Sequence, residues 1–175
     1  EVNVASGGIG LYIVGLPDNT IKESHERIQA AFENSGYRLI AKKTVVNLAP
    51  ADIKKEGSHY DLPLAVVLMQ LSGNLKKNIS DLAFIGELSL SGEIRRVNGV
   101  LPMVIKAREL GVKKIFVPVE NSGEAAVVDG IDVYCAKNLI ELMNILNEDE
   151  VAEKQTSNSV KAGHGKELMP DFCQV

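Results

Sequence analysis

One helix in the middle of the chain sets the strongest constraint on the fold. Residues 62–71 (LPLAVVLMQL) are apolar on nearly every side, so a helix here has no face suited to water and must be buried. Asp61 precedes it as a good N-cap, and Gly73 ends it. A β-branched strand at 44–48 and a polar loop lead into the helix. Other elements must therefore enclose this segment.

The rest of the chain supplies strands and helices in alternation. Residues 9–14 are typical of a strand, and the helix that follows carries an apolar stripe formed by Ile21, Ile28, Ala31 and Phe32. Short helices that end at glycines and return to short strands indicate βαβ units. With the early strands, this pattern predicts an α/β (α+β) fold with a mixed sheet and helices. The later predicted elements are a hairpin of 83–90 and 93–97, helices at 101–110, 121–128 and 138–146, and strands at 114–117 and 131–134.

Length and composition fit one domain followed by a linker. The chain has 175 residues, of which 45% are hydrophobic and 5% aromatic, so aliphatic side chains must dominate the core. Apolar periodicity stops after Leu146, and residues 147–175 hold six acidic residues and three lysines. We predict a domain over 1–146, with its start truncated, and an exposed linker over 147–175. The strand-like start and the new segment opening near 171–175 indicate a fragment of a longer protein.

Cysteine usage and hydropathy indicate a cytoplasmic location. The two cysteines, Cys135 and Cys173, give no disulfide framework, which favours a reducing compartment. No apolar run is long enough to span a membrane, and no signal peptide pattern is present. We therefore expect no membrane partner.

Nucleophilic catalysis has little support in the residues. Ser58 lies beside His59, but adjacent residues on an extended segment point to opposite faces and cannot form a dyad directly. Lys54 and Lys55 lie in a polar loop, where a lysine keeps its high pKa and is a poor base. We assign no catalytic residue and expect no enzymatic activity from this chain.

Metal and nucleotide sites are also not indicated. His25, His59 and His164 are scattered, without the spacing of metal ligands. The glycine-rich segment 6–10 leads back into a strand, and 163–166 lacks the flanking residues of a Walker A loop. We therefore assign no cofactor site.

Paired basic residues are the remaining candidates for function. Most stand at strand starts or in loops, where several could line one rim and contact phosphates. The alternative is solvated surface charge balanced by neighbouring acids, at a net charge of −4. Since aromatic residues are few and tryptophan is absent, we expect any grip on DNA to be electrostatic and blind to sequence. Five doublets occur: Lys42-Lys43, Lys54-Lys55, Lys76-Lys77, Arg95-Arg96 and Lys113-Lys114. The nucleic-acid candidates that flank the loop before the buried helix are Lys42, Lys43, Lys54, Lys55, Arg95 and Arg96.

Several longer motifs carry a family resemblance. They are IVGLPD at 13–18, VNLAPAD at 46–52, KKEGS at 54–58, DLP at 61–63, GELSL at 86–90, GVLP at 99–102 and VPVEN at 117–121. Over nearly the whole chain these motifs resemble the ComM/YifB family of magnesium-chelatase-like AAA+ ATPases. The resembling part is the N-terminal domain of that family.

The resemblance implies a ribosomal protein S5 domain 2-like fold, which is also that of the proteolytic domain of Lon-type proteases. In that domain a serine at one helix start and a lysine near the next form the catalytic dyad. The matching segments here are 61–63 and 98–102, and they contain neither a serine nor a lysine. The fold of a protease is therefore expected without its chemistry.

For the parent protein, the resemblance implies an AAA+ module that uses ATP and Mg²⁺, a homo-hexamer, and DNA branch migration as a helicase. This domain would then be a non-catalytic part that assembles the hexamer and engages DNA. Two alternatives stay open. One is a protein-interaction scaffold without DNA contact, and the other is a Lon-like peptidase with an unrecognised site.

Overall fold

Two three-stranded sheets and a short hairpin hold the helices in the part of the chain that the structure describes. The structure is a computed structural model, and it describes residues 1–6, 8–39 and 42–148. Short 3₁₀ helices lie at Ser58–Tyr60 and Val119–Asn121. The strands are β1 Val2–Ala5, β2 Gly10–Val14, β3 Lys43–Asn47, β4 Leu82–Phe84, β5 Glu87–Leu88, β6 Ile94–Arg95, β7 Lys114–Pro118 and β8 Asp132–Ala136. The helices are α1 Asn19–Asn34, α2 Asp61–Leu71, α3 Val100–Glu109, α4 Ser122–Ala125 and α5 Leu139–Glu148.

The first sheet is mixed and has one open face. Its order is β1-β3-β2, with β1 antiparallel and β2 parallel to β3. Side chains alternate between its two faces, so Thr44 and Val46 are buried while Tyr12 and Val14 are half-exposed. This sheet confirms the predicted α/β class with mixed strand directions.

The second sheet is parallel and continues into the hairpin. Its order is β4-β7-β8, as expected for βαβ units. The prediction of one continuous strand over 83–90 is wrong in one respect, because the strand is interrupted between β4 and β5. At the break, the Gly86 N–H donates to the His59 carbonyl, and the Gly86 carbonyl accepts from Leu62 N–H. The backbone of Gly86 therefore bonds to the start of α2, and a separate hairpin of β5 and β6 follows.

The predicted burial of α2 is confirmed. Leu62, Ala65, Val66 and Met69 are each at most 1% exposed. The predicted stripe of α1 is buried, and its members Ile28, Ala31 and Phe32 lie in the same core, which also contains side chains of α5. Burial of this many large apolar side chains is the main favourable contribution to folding.

Two other predictions differ from the structure. The helix predicted at 121–128 is only the single turn α4, since Gly123 and the β-branched Val127 and Val128 are poor helix formers. The final helix α5 extends to Glu148, two residues beyond the predicted end of that helix. Residues 149–175, which hold most of the predicted linker and Cys173, lie outside the described residues. None of the described helices is long and apolar enough to cross a bilayer.

A tight contact at Gly15 generates a stability prediction. Gly15 has φ +98°, and a Cβ there would overlap the carbonyl oxygen of Leu48, whose N–H continues the β2–β3 ladder by donating to the Val14 carbonyl. Gly111 has a similar φ of +85°, but a Cβ added there would meet nothing within 4 Å. Both alanine variants should lose about 1 kcal/mol from the positive φ. Gly15→Ala should lose about 1–3 kcal/mol more from overpacking, measured by urea unfolding. Equal losses would contradict the contact.

Candidate functional site

The start of α2 holds a buried ion pair. The Asp61 carboxylate is fully buried, and Arg27 of α1 contacts both of its oxygens. Arg27 Nε donates to Oδ2 at 2.7 Å and Nη2 donates to Oδ1 at 2.9 Å. This two-point geometry is the strong form of a carboxylate contact with arginine.

Two backbone groups complete this pair. The Leu88 N–H donates to Asp61 Oδ2 at 3.2 Å, and Arg27 Nη2 also donates to the Thr20 carbonyl at 2.8 Å. Helices α1 and α2 and the hairpin strand β5 therefore meet at one carboxylate. The prediction that Asp61 is an N-cap is wrong: Tyr60 occupies the cap position without a side-chain bond, and Asp61 faces inward.

Burial and pairing act in opposite directions on the Asp61 carboxyl. Burial raises the pKa of Asp61, while the hydrogen bonds from Arg27 and Leu88 N–H oppose that rise. The same contact with Asp61 raises the pKa of Arg27. The Asp61 carboxylate is therefore used in contacts that join α1, α2 and β5.

The neighbouring Ser58 and His59 form no nucleophile and base pair. Both lie in the 3₁₀ helix before α2, and the His59 ring packs on Tyr60 with centroids 4.3 Å apart. Burial lowers the pKa of His59. Among the described residues, no hydrogen bond joins Ser58 to a histidine, lysine or carboxylate. In the second segment where Lon-type domains carry the lysine, Leu101 packs on the apolar core.

Both lysines of the doublet Lys54-Lys55 have partners within the domain. Lys55 is only 6% exposed, and its Nζ donates to the Pro50 carbonyl. Its backbone also bonds to Leu16 and Asp18. Lys54 is exposed but forms an ion pair with Glu56. The Lys55 ammonium is therefore not accessible to a phosphate, and the expectation that Lys55 lies on an accessible rim is wrong. The Lys54 ammonium is exposed, and its pair with Glu56 is of the weak surface kind.

The doublet Lys42-Lys43 lies where strand β3 begins, at the end of the first sheet where Lys43 pairs with Ala5 and Gly10. Lys43 Nζ is 5.3 Å from the centroid of the Tyr12 ring, and Lys42 is exposed. Lys42 also lines a cavity of about 420 Å³, together with Arg38, Glu33, Leu11 and Phe32 among other residues. No acidic side chain of the described residues forms an ion pair with these cations.

The doublet Arg95-Arg96 is exposed but partly balanced by acids. Arg95 lies on β6 opposite Glu87, and its Nη2 is 3.6 Å from a Glu93 oxygen. Arg96 has no such partner within the described part of the chain. Such exposed pairs are weak and screened by salt, so a polyanion can compete for them.

The structure does not bring the three doublets together at one contact. Gly10 of β2 pairs with Lys43, whereas Pro17, seven residues later, bridges to Lys55. Strand β2, from Gly10 to Val14, alone spans roughly 13 Å between these two points. Lys42-Lys43 and Lys54-Lys55 therefore lie at opposite ends of the β2–β3 pair.

Sequence reasoning missed Tyr12 and Arg38. The signal for Tyr12 was the alternation in β2, where Leu11 and Ile13 face the core and Tyr12 and Val14 point away. Arg38 stands alone in the sequence, so a search for doublets passes over it. No group of metal-ligating side chains occurs in the described ranges.

Comparison with known proteins identifies the family. A family model described as "Subunit ChlI of Mg-chelatase" matches residues 1–121. Competence protein ComM of Haemophilus influenzae is 35% identical over 151 residues, 86% of this chain and 30% of that protein. The uncharacterised protein YifB of Escherichia coli is 38% identical over 155 residues, 88% of this chain and 30% of that protein. The chain belongs to the magnesium-chelatase-like ComM/YifB family.

A Lon protease is also similar to the chain. The protease of Syntrophomonas wolfei is 29% identical over 161 residues, which are 88% of this chain and 19% of that protein. This similarity agrees with the expected Lon-like fold. The chain spans about 30% of the length of the ComM and YifB relatives, so it corresponds to one part of such proteins.

The ion pair predicts an asymmetric mutational response. Arg27→Met should destabilise the chain by about 3–5 kcal/mol, because it leaves a fully buried carboxylate without its partner. Asp61→Asn should cost less, because the Arg27 side chain is 20% exposed and can regain water. The double variant should be more stable than the sum of the two losses predicts.

The pH dependence of Arg27→Met follows from the same charge. Loss of Arg27 raises the folded-state pKa of Asp61 further, so the folded state binds the proton more readily than the unfolded state. Destabilisation should therefore be full near neutral pH and shrink as pH falls towards about 4. Urea unfolding of each variant from neutral pH to about pH 4 measures this destabilisation. Additive losses independent of pH would show that the pair is not coupled.

Proposed function

We propose that this chain is a non-catalytic N-terminal domain that assembles a hexameric AAA+ ATPase and engages its DNA. The parent would act in the cytoplasm as a helicase that drives branch migration. ATP and Mg²⁺ would bind in an AAA+ module outside this chain. The ComM/YifB family membership supports the class of parent protein, and the competence name of one relative supports a connection with DNA.

The start of α2 supports the non-catalytic part of the proposal. A Lon-like dyad needs a free nucleophile there, and the chain instead carries a carboxylate held by Arg27 and Leu88 N–H. The Asp61 carboxylate is fully buried, so it cannot attack a substrate from that position.

The observation that carries the DNA part of the proposal is that the cations of two doublets lack strong acidic partners. Lys42, Lys43 and Arg96 have no acidic partner among the described residues, and Arg95 has only an exposed one. Unpaired surface cations gain free energy by displacing counterions from phosphates. One domain offers few such contacts, so affinity should come from several domains in one ring binding together.

A scaffold without DNA contact is the main competing function. It is favoured by the carboxylates of Glu56, Glu93 and Glu87, which lie beside Lys54 and Arg95 and weaken the local positive potential. DNA binding measured against salt separates the two functions.

The test removes four cations from the full-length protein, two at Lys42-Lys43 and two at Arg95-Arg96. Changing Lys42, Lys43, Arg95 and Arg96 to Ala should lower DNA affinity and flatten the dependence of log K on log salt. ATPase activity without DNA should stay intact, because no nucleotide site lies among these residues. The matched control changes four exposed cations elsewhere, Lys76, Lys106, Arg108 and Lys113, for the same loss of charge.

The control variant should keep most of the wild-type salt slope. If both variants lose the same slope, the effect is one of net charge and not of this surface. If the first variant keeps the wild-type slope, DNA binds elsewhere and the scaffold function stands.

A further inference from the structure

The open face of the first sheet presents one aromatic ring. Tyr12 is 50% exposed and Val14 is 46% exposed, while their neighbours Leu11 and Ile13 pack on the core. The strand register places Val45 beside Tyr12 and Lys43 beside Gly10 on the same face. A tyrosine ring half in water adds little to the core, so stability alone does not explain it.

The surroundings of the ring leave it accessible from solvent. Gly10 has no side chain, and a Cβ there would lie 3.4 Å from the Tyr12 ring. The ring therefore extends along the strand over Gly10. The Lys43 ammonium, 5.3 Å from the ring centroid, is the cation above it.

We propose that Tyr12 stacks on a base of single-stranded DNA while Lys43 and Lys42 contact the adjacent phosphates. This inference rests on the proposed function, since DNA is its ligand, and it names the form of DNA and a new contact residue. The occupant follows from charge and shape together: two lysines without an acidic partner in the described ranges suit phosphates, and a flat exposed ring suits a base. Bases of a duplex are already stacked on each other, so only an unpaired strand offers a base to the ring.

The strengths of the two contacts favour a base over the Lys43 ammonium as the partner of the Tyr12 ring. An exposed cation–π contact changes an equilibrium by about two- to fivefold. Stacking of a base on an aromatic side chain changes it by about 5- to 150-fold. Lys43 then gains a phosphate contact in place of the ring.

The composition of the face agrees with a nucleotide ligand. Asn3 and Asn47 lie on the same face as Tyr12, Val14 and Val45, according to the strand registers. This mixture of amide groups and apolar side chains suits a ligand that is flat and apolar in one part and polar in another. An apolar protein surface would leave the lysine unpaired, whereas the Asn47 amide already donates to a Glu1 carboxylate oxygen at 3.5 Å.

The test compares Tyr12 variants of the full-length protein in binding to oligothymidine and to a duplex of equal length, by fluorescence anisotropy at several salt concentrations. Tyr12→Ala and Tyr12→Leu should each weaken single-strand binding about fivefold or more, with an unchanged salt slope. Tyr12→Phe keeps the ring and should bind within about twofold of wild type. The control Leu110→Ala, at a position 74% exposed, should have no effect.

Three results would overturn the inference: single-strand affinity unchanged in Tyr12→Ala, an equal loss for single strand and duplex, or a change in oligomeric state that indicates a protein occupant. A neutral Tyr12→Ala together with a flattened slope in the four-cation variant would refute stacking and leave the proposed function in place. If neither variant changes binding, both fail.

Discussion

The contact between Arg27 and Asp61 is the constraint on which the rest of the structure depends. A buried carboxylate is costly unless it is paired and hydrogen-bonded, so α1, α2 and β5 must all present a group to the same point. This requirement fixes how the buried helix enters the core. It also gives the helix start a structural role at the place where a Lon-like protease carries its nucleophile.

Local sequence patterns predicted the elements whose causes are local. The burial of α2 and the stripe of α1 follow from periodicity within each helix, and both are observed. The role of Asp61 could not be predicted this way, because its partner lies 34 residues earlier and the local pattern favours a cap. The break at Gly86 has the same origin, since its backbone bonds to Leu62 and His59, and not to a neighbouring strand.

The candidate site shows a similar division. As sequence, Lys42-Lys43 and Lys54-Lys55 are equivalent doublets, and only tertiary contacts separate them. Lys55 bonds to the Pro50 carbonyl, whereas Lys43 lies over the exposed Tyr12 ring at the start of β3. The alternation of β2 contained a signal for Tyr12, but its value depends on the sheet having one uncovered face. Which lysines can meet a phosphate is therefore a property of the fold.

The most direct measurement is cross-linking of the full-length protein to single-stranded DNA, by ultraviolet light for rings and formaldehyde for lysines, with sites mapped by mass spectrometry. The account predicts that cross-links within residues 1–148 concentrate on Tyr12, Lys42 and Lys43. Buried Lys55 and the exposed Lys106, which lies on helix α3, should be nearly free of them. Cross-links spread evenly over exposed lysines, or confined to the rest of the protein, would contradict a DNA-engaging role for this domain.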